Sequence, residues 1–137
     1  MEQSEQFPIQ EVDPFIVFPS LAELPQKPKQ LYIRGALKNI QHKKIVAFVG
    51  SRACTSYGTN ACRTLIEGLR GYNIVIASGL AMGIDAIAHK AALDVGLTTI
   101  AFPGSGLDWK YVYPAVNRGL AKDILIHGGV LCSEYPP

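Results

Sequence analysis

No apolar run in the 137-residue chain approaches the ~18–20 residues of a membrane-spanning helix, because Gly, Lys, Asp or Asn breaks each one. No membrane partner is therefore expected. Residues 1–25 have neither a basic start nor an apolar stretch, so no secretory signal is expected either. Cysteine is scarce: Cys54, Cys62 and Cys132 are odd in number and share no metal-ligand spacing. That excludes a disulfide scaffold and points to reduced thiols in a cytoplasmic protein. His42, His89 and His127 lie in separate segments with no ligand partner one turn away, which gives no metal site. Charged residues make up only 18% against 48% hydrophobic, which excludes intrinsic disorder and leaves enough apolar content for a core.

Net charge is also small, +2, but it is segregated along the chain. Glu2, Glu5, Glu11, Asp13 and Glu23 stand in residues 1–25 without a base. Lys27, Lys29, Arg34, Lys38, Lys43, Lys44 and Arg52 stand in residues 26–52 without an acid. A basic block leading into a Gly-rich turn suits a polyanion, whereas the plainer reading is a solvated rim that keeps the protein in solution.

Residues 1–13 are polar, acidic and aperiodic, and are expected to form a flexible lead-in to a domain over 14–137. Prolines at 14, 19, 25 and 28 forbid a long helix there. Leu31–Arg34 reads as a short strand. Lys44–Val49 is a continuous apolar run, which predicts a strand buried on both faces. A helix is expected from about Tyr57 to Arg70, with Ala61, Leu65, Ile66 and Leu69 inward. Ile74–Ala77 is the next strand, Ile84–Val95 the next helix, and Thr98–Phe102 a third strand. A third helix over about 115–127 precedes a fourth strand at Val130–Ser133. This alternation predicts an α/β fold: a Rossmann-like, doubly wound parallel sheet, truncated after its fourth core strand.

In such a sheet the loops leaving the strands' carboxyl ends share one edge, where ligands bind. Here they are Gly50–Gly58, Ser78–Asp85 and Pro103–Asp108, each rich in Gly and hydroxyl residues. Backbone N–H groups in such turns, together with a helix N-terminus, favour anions. Arg52 adds a guanidinium fork suited to phosphate oxygens. The candidate phosphate cradle is Gly50, Ser51, Arg52, Ser78, Gly79, Gly104, Ser105 and Gly106. None of the three loops is Gly-x-Gly-x-x-Gly or a Walker sequence, so neither a dinucleotide nor ATP is indicated. No catalytic set stands out. Asp85 suits the exposed N–H groups of a helix start, His89 suits a core or interface position, and Ser51 and Ser78 lack an activating base. Cys54 reads as an incidental small residue. Trp109, Tyr111 and Tyr113 serve equally as base-stacking groups or as loop packing.

These residues resemble the DNA-processing protein A family, DprA or Smf. The resemblance rests on Gly50-Ser51-Arg52-x-x-Thr55-x-Tyr57-Gly58 and Ser78-Gly79-x-Ala81-x-Gly83-Ile84-Asp85-x-x-Ala88-His89. Gly106-Leu107-Asp108, Tyr113-Pro114-x-x-Asn117, Phe18-Pro19, Leu31–Gly35 and Ser133–Pro136 follow the same pattern in the same order. The resemblance implies single-stranded DNA held in a basic pocket, loading of a RecA-type recombinase during natural transformation, and action as a homodimer. It implies no enzymatic activity and no cofactor. Phosphate roles carry over to Gly50, Ser51 and Arg52, and to Ser78 and Gly79. The family's domain continues into an Arg-Asn-Arg segment and further strands that supply part of the DNA pocket and the dimer contacts. Trp109–Val112 is about two residues longer than the family's spacing.

Two other readings stand beside this one. A nucleotide-binding sensor or hydrolase of the lysine-decarboxylase-like (LOG) type would use a similar edge, but its Pro-Gly-Gly-x-Gly-Thr-x-x-Glu motif is missing: Pro103-Gly104-Ser105-Gly106 runs into Leu-Asp. Alternatively, a lone half-domain would leave its last strand as an apolar edge that drives association.

Overall fold

The computed structural model describes residues 6–137. Its strands are β1 (Gln10–Val12), β2 (Leu31–Gly35), β3 (Lys44–Ala47), β4 (Ile74–Ser78), β5 (Thr98–Ala101) and β6 (Val130–Ser133). Its α-helices are α1 (Pro14–Val17), α2 (Ser56–Glu67), α3 (Ile84–Asp94) and α4 (Arg118–Ile126). The six strands form one sheet in the order β1-β2-β6-β5-β4-β3. β3 to β6 are parallel, and β2 and β1 extend the sheet antiparallel beyond β6. The Rossmann-like α/β sheet is thus present as expected, with two more strands at one side.

Because β3, β4, β5 and β6 lie side by side in chain order, each right-handed crossover steps the same way. α2, α3 and α4 therefore share one face. Cys62 and Ile66 of α2 meet Ile76 and the alanines Ala88, Ala91 and Ala92 of α3. Leu120, Ala121, Ile124 and Leu125 of α4 meet Ala101 and Leu131. The alternate strand positions Val75, Ala77, Ile100, Val130 and Cys132 point to the other face, which N-terminal segments cover through Val12, Val17, Phe18 and Leu21. Ile66, Ile76, Ile100 and Ile124 have no exposed surface. Each such side chain contributes about 1.5–3 kcal/mol of burial.

Four expectations need correction. The lead-in is not wholly irregular, since Gln10–Val12 pair with Ile33–Leu31. Main-chain pairing to the free edge of β2 needs little apolar pattern, so composition conceals it; residues 1–5 of that lead-in lie outside the described residues. The run Lys44–Val49 is not buried on both faces: β3 is an edge strand in which Lys44, Ile45 and Ala47 are exposed. The last strand is not an open edge, because β2 folds back beside β6 and all four residues of β6 are buried. In α2 the inward residues are Cys62 and Ile66, while Leu65 is 62% exposed, because the helix meets only α3 and the sheet.

Candidate phosphate-binding site

The loops after β3, β4 and β5 lie along one sheet edge, and the first two are fused by backbone contacts. Ile84 N donates to the Ser51 carbonyl at 3.1 Å. Gly83 adopts a φ of +81°, and a Cβ there would fall on the Ser51 and Arg52 carbonyl oxygens. Only glycine meets both demands. Thr55 caps α2 by accepting from Gly58 N at 3.1 Å, and Ser51 Oγ accepts from Ala53 N at 3.2 Å.

Loop two carries its own tether. Leu80 has a φ of +63° with its side chain fully buried, a conformation that costs roughly 1–2 kcal/mol for a non-glycine residue. Asn117 Nδ2 donates to the Leu80 carbonyl at 2.8 Å, which holds that turn from the start of α4. The sequence signal for this tether is the Tyr113-Pro114-x-x-Asn117 spacing, which by itself assigns Asn117 no partner. In loop three, Ser105 Oγ accepts from Tyr113 N at 3.2 Å, and Ser133 Oγ donates to the Ser105 carbonyl at 2.6 Å.

Together the loops enclose a cavity of about 260 Å³ lined by Arg52, Gly79, Ala81, Met82, Gly104, Tyr113 and Pro114. Of the eight cradle candidates, Arg52, Gly79 and Gly104 line it. The other five are placed differently. Gly50 packs against Ile84 and Ser51 holds its own turn. The Ser78 hydroxyl donates to the Phe48 carbonyl, tying β4 to the loop after β3. Ser105 anchors Tyr113, and Gly106 lies against the Pro136 carbonyl. Gly79 N donates to Asp85 Oδ2 at 3.1 Å, so this carboxylate already occupies one anion position at the start of α3. Ala81, Met82, Tyr113 and Pro114, none of them among the cradle candidates, complete the lining, and Tyr113 alone of them stands among the aromatics with a base-stacking alternative.

The basic block is dispersed by folding. Arg34 is 2% exposed, and its guanidinium donates to the Phe7 and Leu107 carbonyls at 2.7 and 2.8 Å. Burial draws its pKa down, and nearby Asp108 opposes that shift. Lys27 lines a separate groove of about 770 Å³ on the second sheet face, which meets the cradle at Gly104. Arg52 is exposed, and among the described residues the one ion pair is Arg63–Asp94.

The potential catalytic groups have structural partners. Asp85 holds Gly79. His89 is fully buried, with Nδ1 2.7 Å from Thr99 Oγ1, which itself donates to the Ile76 carbonyl. Nδ1 therefore carries the proton, and burial lowers the His89 pKa to about 4. Cys132 is pushed up to about 12 by burial, and Cys62 is raised for the same reason. Among the described residues no cluster of His, Cys, Asp or Glu suits a metal ion, and no helix is long and apolar enough to cross a membrane.

Comparison with known proteins follows the same residues. The family model of DNA recombination-mediator protein A matches residues 3–137. The DNA processing protein DprA of Streptococcus pneumoniae is 43% identical over 117 residues, covering 85% of this chain and 40% of that protein. Protein Smf of Escherichia coli is 41% identical over 118 residues, covering 86% and 31%. Among solved structures, S. pneumoniae DprA superposes with a TM-score of 0.78 at 34% identity, over all of this chain and 49% of its own. DNA processing protein A of Helicobacter pylori, described for its single-stranded DNA binding mode, superposes with a TM-score of 0.77 at 30% identity, over 96% and 57%. The chain thus spans about half or less of the S. pneumoniae and E. coli relatives. On the strength of its motifs, its sheet and these matches, it belongs to the DNA recombination-mediator protein A family, the DprA/Smf proteins.

Proposed function

We propose that the chain binds single-stranded DNA through its phosphates, as a binding module and not an enzyme. Arg52 supplies the charge, and the loops after β3, β4 and β5 supply the cradle. One observation carries this reading: Arg52 is an exposed cation with no carboxylate partner among the described residues, on the wall of the cavity where the three loops meet. A guanidinium without a counter-ion beside helix N-termini suits a phosphate oxygen. The single-stranded DNA binding of the H. pylori relative supports the choice of polymer. By family membership we further assign the chain to recombination mediation in natural transformation, loading a RecA-type recombinase as a homodimer in the cytoplasm.

The test is fluorescence anisotropy of labelled oligo-dT with wild type and Arg52→Ala, at low and moderate salt, beside a duplex control. Expected is binding that prefers the single strand, falls steeply with salt and weakens for every sequence alike in Arg52→Ala. Equal binding by the variant at matched salt removes Arg52 from the site. Release of a free base from a nucleoside monophosphate would instead move the reading to a LOG-type hydrolase.

A further inference from the structure

We propose that Lys110, Arg118 and Lys122 form a second phosphate contact, outside the cradle, for the stretch of strand that leaves it; this rests on the phosphate reading of Arg52. The turn that follows Leu107 is held from two sides. Asp108 Oδ1 accepts from Lys110 N at 3.2 Å, and the Asp108 carbonyl accepts from Tyr111 N and Val112 N at 2.8 and 3.1 Å. From α4, the Arg118 guanidinium donates to the Val112 and Lys110 carbonyls at 2.8 and 2.9 Å. Val112 is fully buried beneath the turn, so its outer side shows Lys110 and Tyr111.

The lysines here are oriented by rings, not by carboxylates. Lys110 Nζ lies 5.1 Å from the centroid of the Tyr111 ring, and Lys122 Nζ lies 5.3 Å from that of Trp109. A carboxylate partner would neutralise an ammonium, whereas an aromatic face orients it and leaves its charge for a ligand. Among the described residues neither lysine, nor Arg118, has an ion-pair partner. Arg118 and Lys122 stand one turn apart on the same side of α4, which sets their charges beside each other. The two carboxylates of this stretch are committed elsewhere. Asp108 holds the turn, and Asp123 lines the separate cavity between α3 and α4 with Lys90 and His127. A positive surface without counter-ions suits a polyanion. Lys110 is three residues from Tyr113, which lines the cradle cavity, so at most about 10 Å of chain separates them. That adjacency favours the bound strand over an acidic polypeptide.

The experiment measures anisotropy of labelled oligo-dT of about four and about 20 nucleotides, bracketing the ~4–16 nucleotides that single-strand sites cover. The proteins are wild type, Arg52→Ala, the pair Lys110→Gln with Lys122→Gln, and the pair Lys110→Glu with Lys122→Glu. Thermal melts confirm that each variant is folded. The Gln pair should lose roughly three- to 30-fold on the long strand at low salt and reduce its log–log salt slope by about one unit. Its affinity for the short strand should change less than about twofold. The Glu pair should lose more on the long strand. Emission of Trp109, the sole tryptophan, should change with the long strand and not with the short one. Equal losses on both lengths overturn the proposal, since the lysines would then act within the cradle. Full long-strand affinity in both lysine pairs, while Arg52→Ala weakens both lengths, overturns it and leaves the phosphate reading standing. Poly-glutamate that displaces the long strand as well as unlabelled oligo-dT does would reassign the patch to an acidic polypeptide. Wild-type affinity of Arg52→Ala on both lengths sinks the phosphate reading and this second contact with it.

Discussion

The guanidinium of Arg34 lies 4.4 Å from the centroid of the Trp109 ring while donating to the carbonyls of Phe7 and Leu107. A residue of the basic block in residues 26–52 is thereby a structural pin. It joins the N-terminal segment, β2 and the loop after β5. Replacing it with Ala strands two carbonyls and removes the cation beside Trp109. Arg34→Ala should therefore lower stability by about 2–4 kcal/mol in urea unfolding. Arg34→Lys should recover little, because an ammonium cannot fork between two carbonyls. Trp109 is the sole tryptophan, so its fluorescence reports this unfolding directly. Unfolding midpoints equal to wild type would show that the pin contributes nothing.

Gly83 presses the start of α3 against the Ser51 and Arg52 carbonyls at a φ of +81°. Gly83→Ala must push the first two loops apart and strain the backbone. We expect a stability loss of about 1–3 kcal/mol together with weakened oligo-dT binding. The opposite combination, full affinity in a destabilised protein, would separate loop contact from the cradle.

Asp85 places a carboxylate on Gly79 N beside the proposed phosphate site. Asp85→Asn keeps an oxygen for that hydrogen bond and removes a negative charge. Its oligo-dT affinity at low salt should rise about two- to fivefold and converge with wild type as salt increases. Asp85→Ala, which loses the bond, should unfold about 1 kcal/mol more easily. Lower affinity in Asp85→Asn would mean that the charge itself orders the loop.

His89 is buried as the neutral imidazole, with its pKa lowered from 6.5 to about 4. Between those values the unfolded chain binds more protons than the folded one, so stability rises with pH across that window. The contribution is complete above about pH 7 and is lost as pH falls from 6.5 toward 4, amounting to about 2 kcal/mol at pH 5. Urea unfolding at pH 7.5 and 5 should show this loss in wild type and a smaller one in His89→Gln. Identical slopes in the two proteins would assign the acid sensitivity elsewhere.

Much of the parallel sheet was legible because its strands are short apolar runs and its long helices are spaced between them. Ile74–Ala77, Thr98–Phe102 and Val130–Ser133 could be placed this way without tertiary information, each within one residue of its observed strand. Gln10–Val12 could not, since an edge strand recruited by main-chain bonds needs no apolar signature. Exposure of Ile45 and burial of β6 were equally hidden. Both follow from the order β2-β6-β5-β4-β3, and adjacency between strands distant in sequence leaves no local mark.

The same division holds for the candidate site. Gly-rich loops at the ends of three strands, one carrying Arg52, are a local pattern, so sequence alone determined where these loops lie along one edge and which family the chain resembles. Tertiary structure alone decided which groups face the cavity. Ser78 turns to Phe48, Gly79 to Asp85 and Arg34 inward to two carbonyls, while Arg52 and Tyr113 stay open. Composition counts donors and charges, but every buried polar group must be satisfied by whichever partner folding brings near. The groups left for a ligand are those that remain.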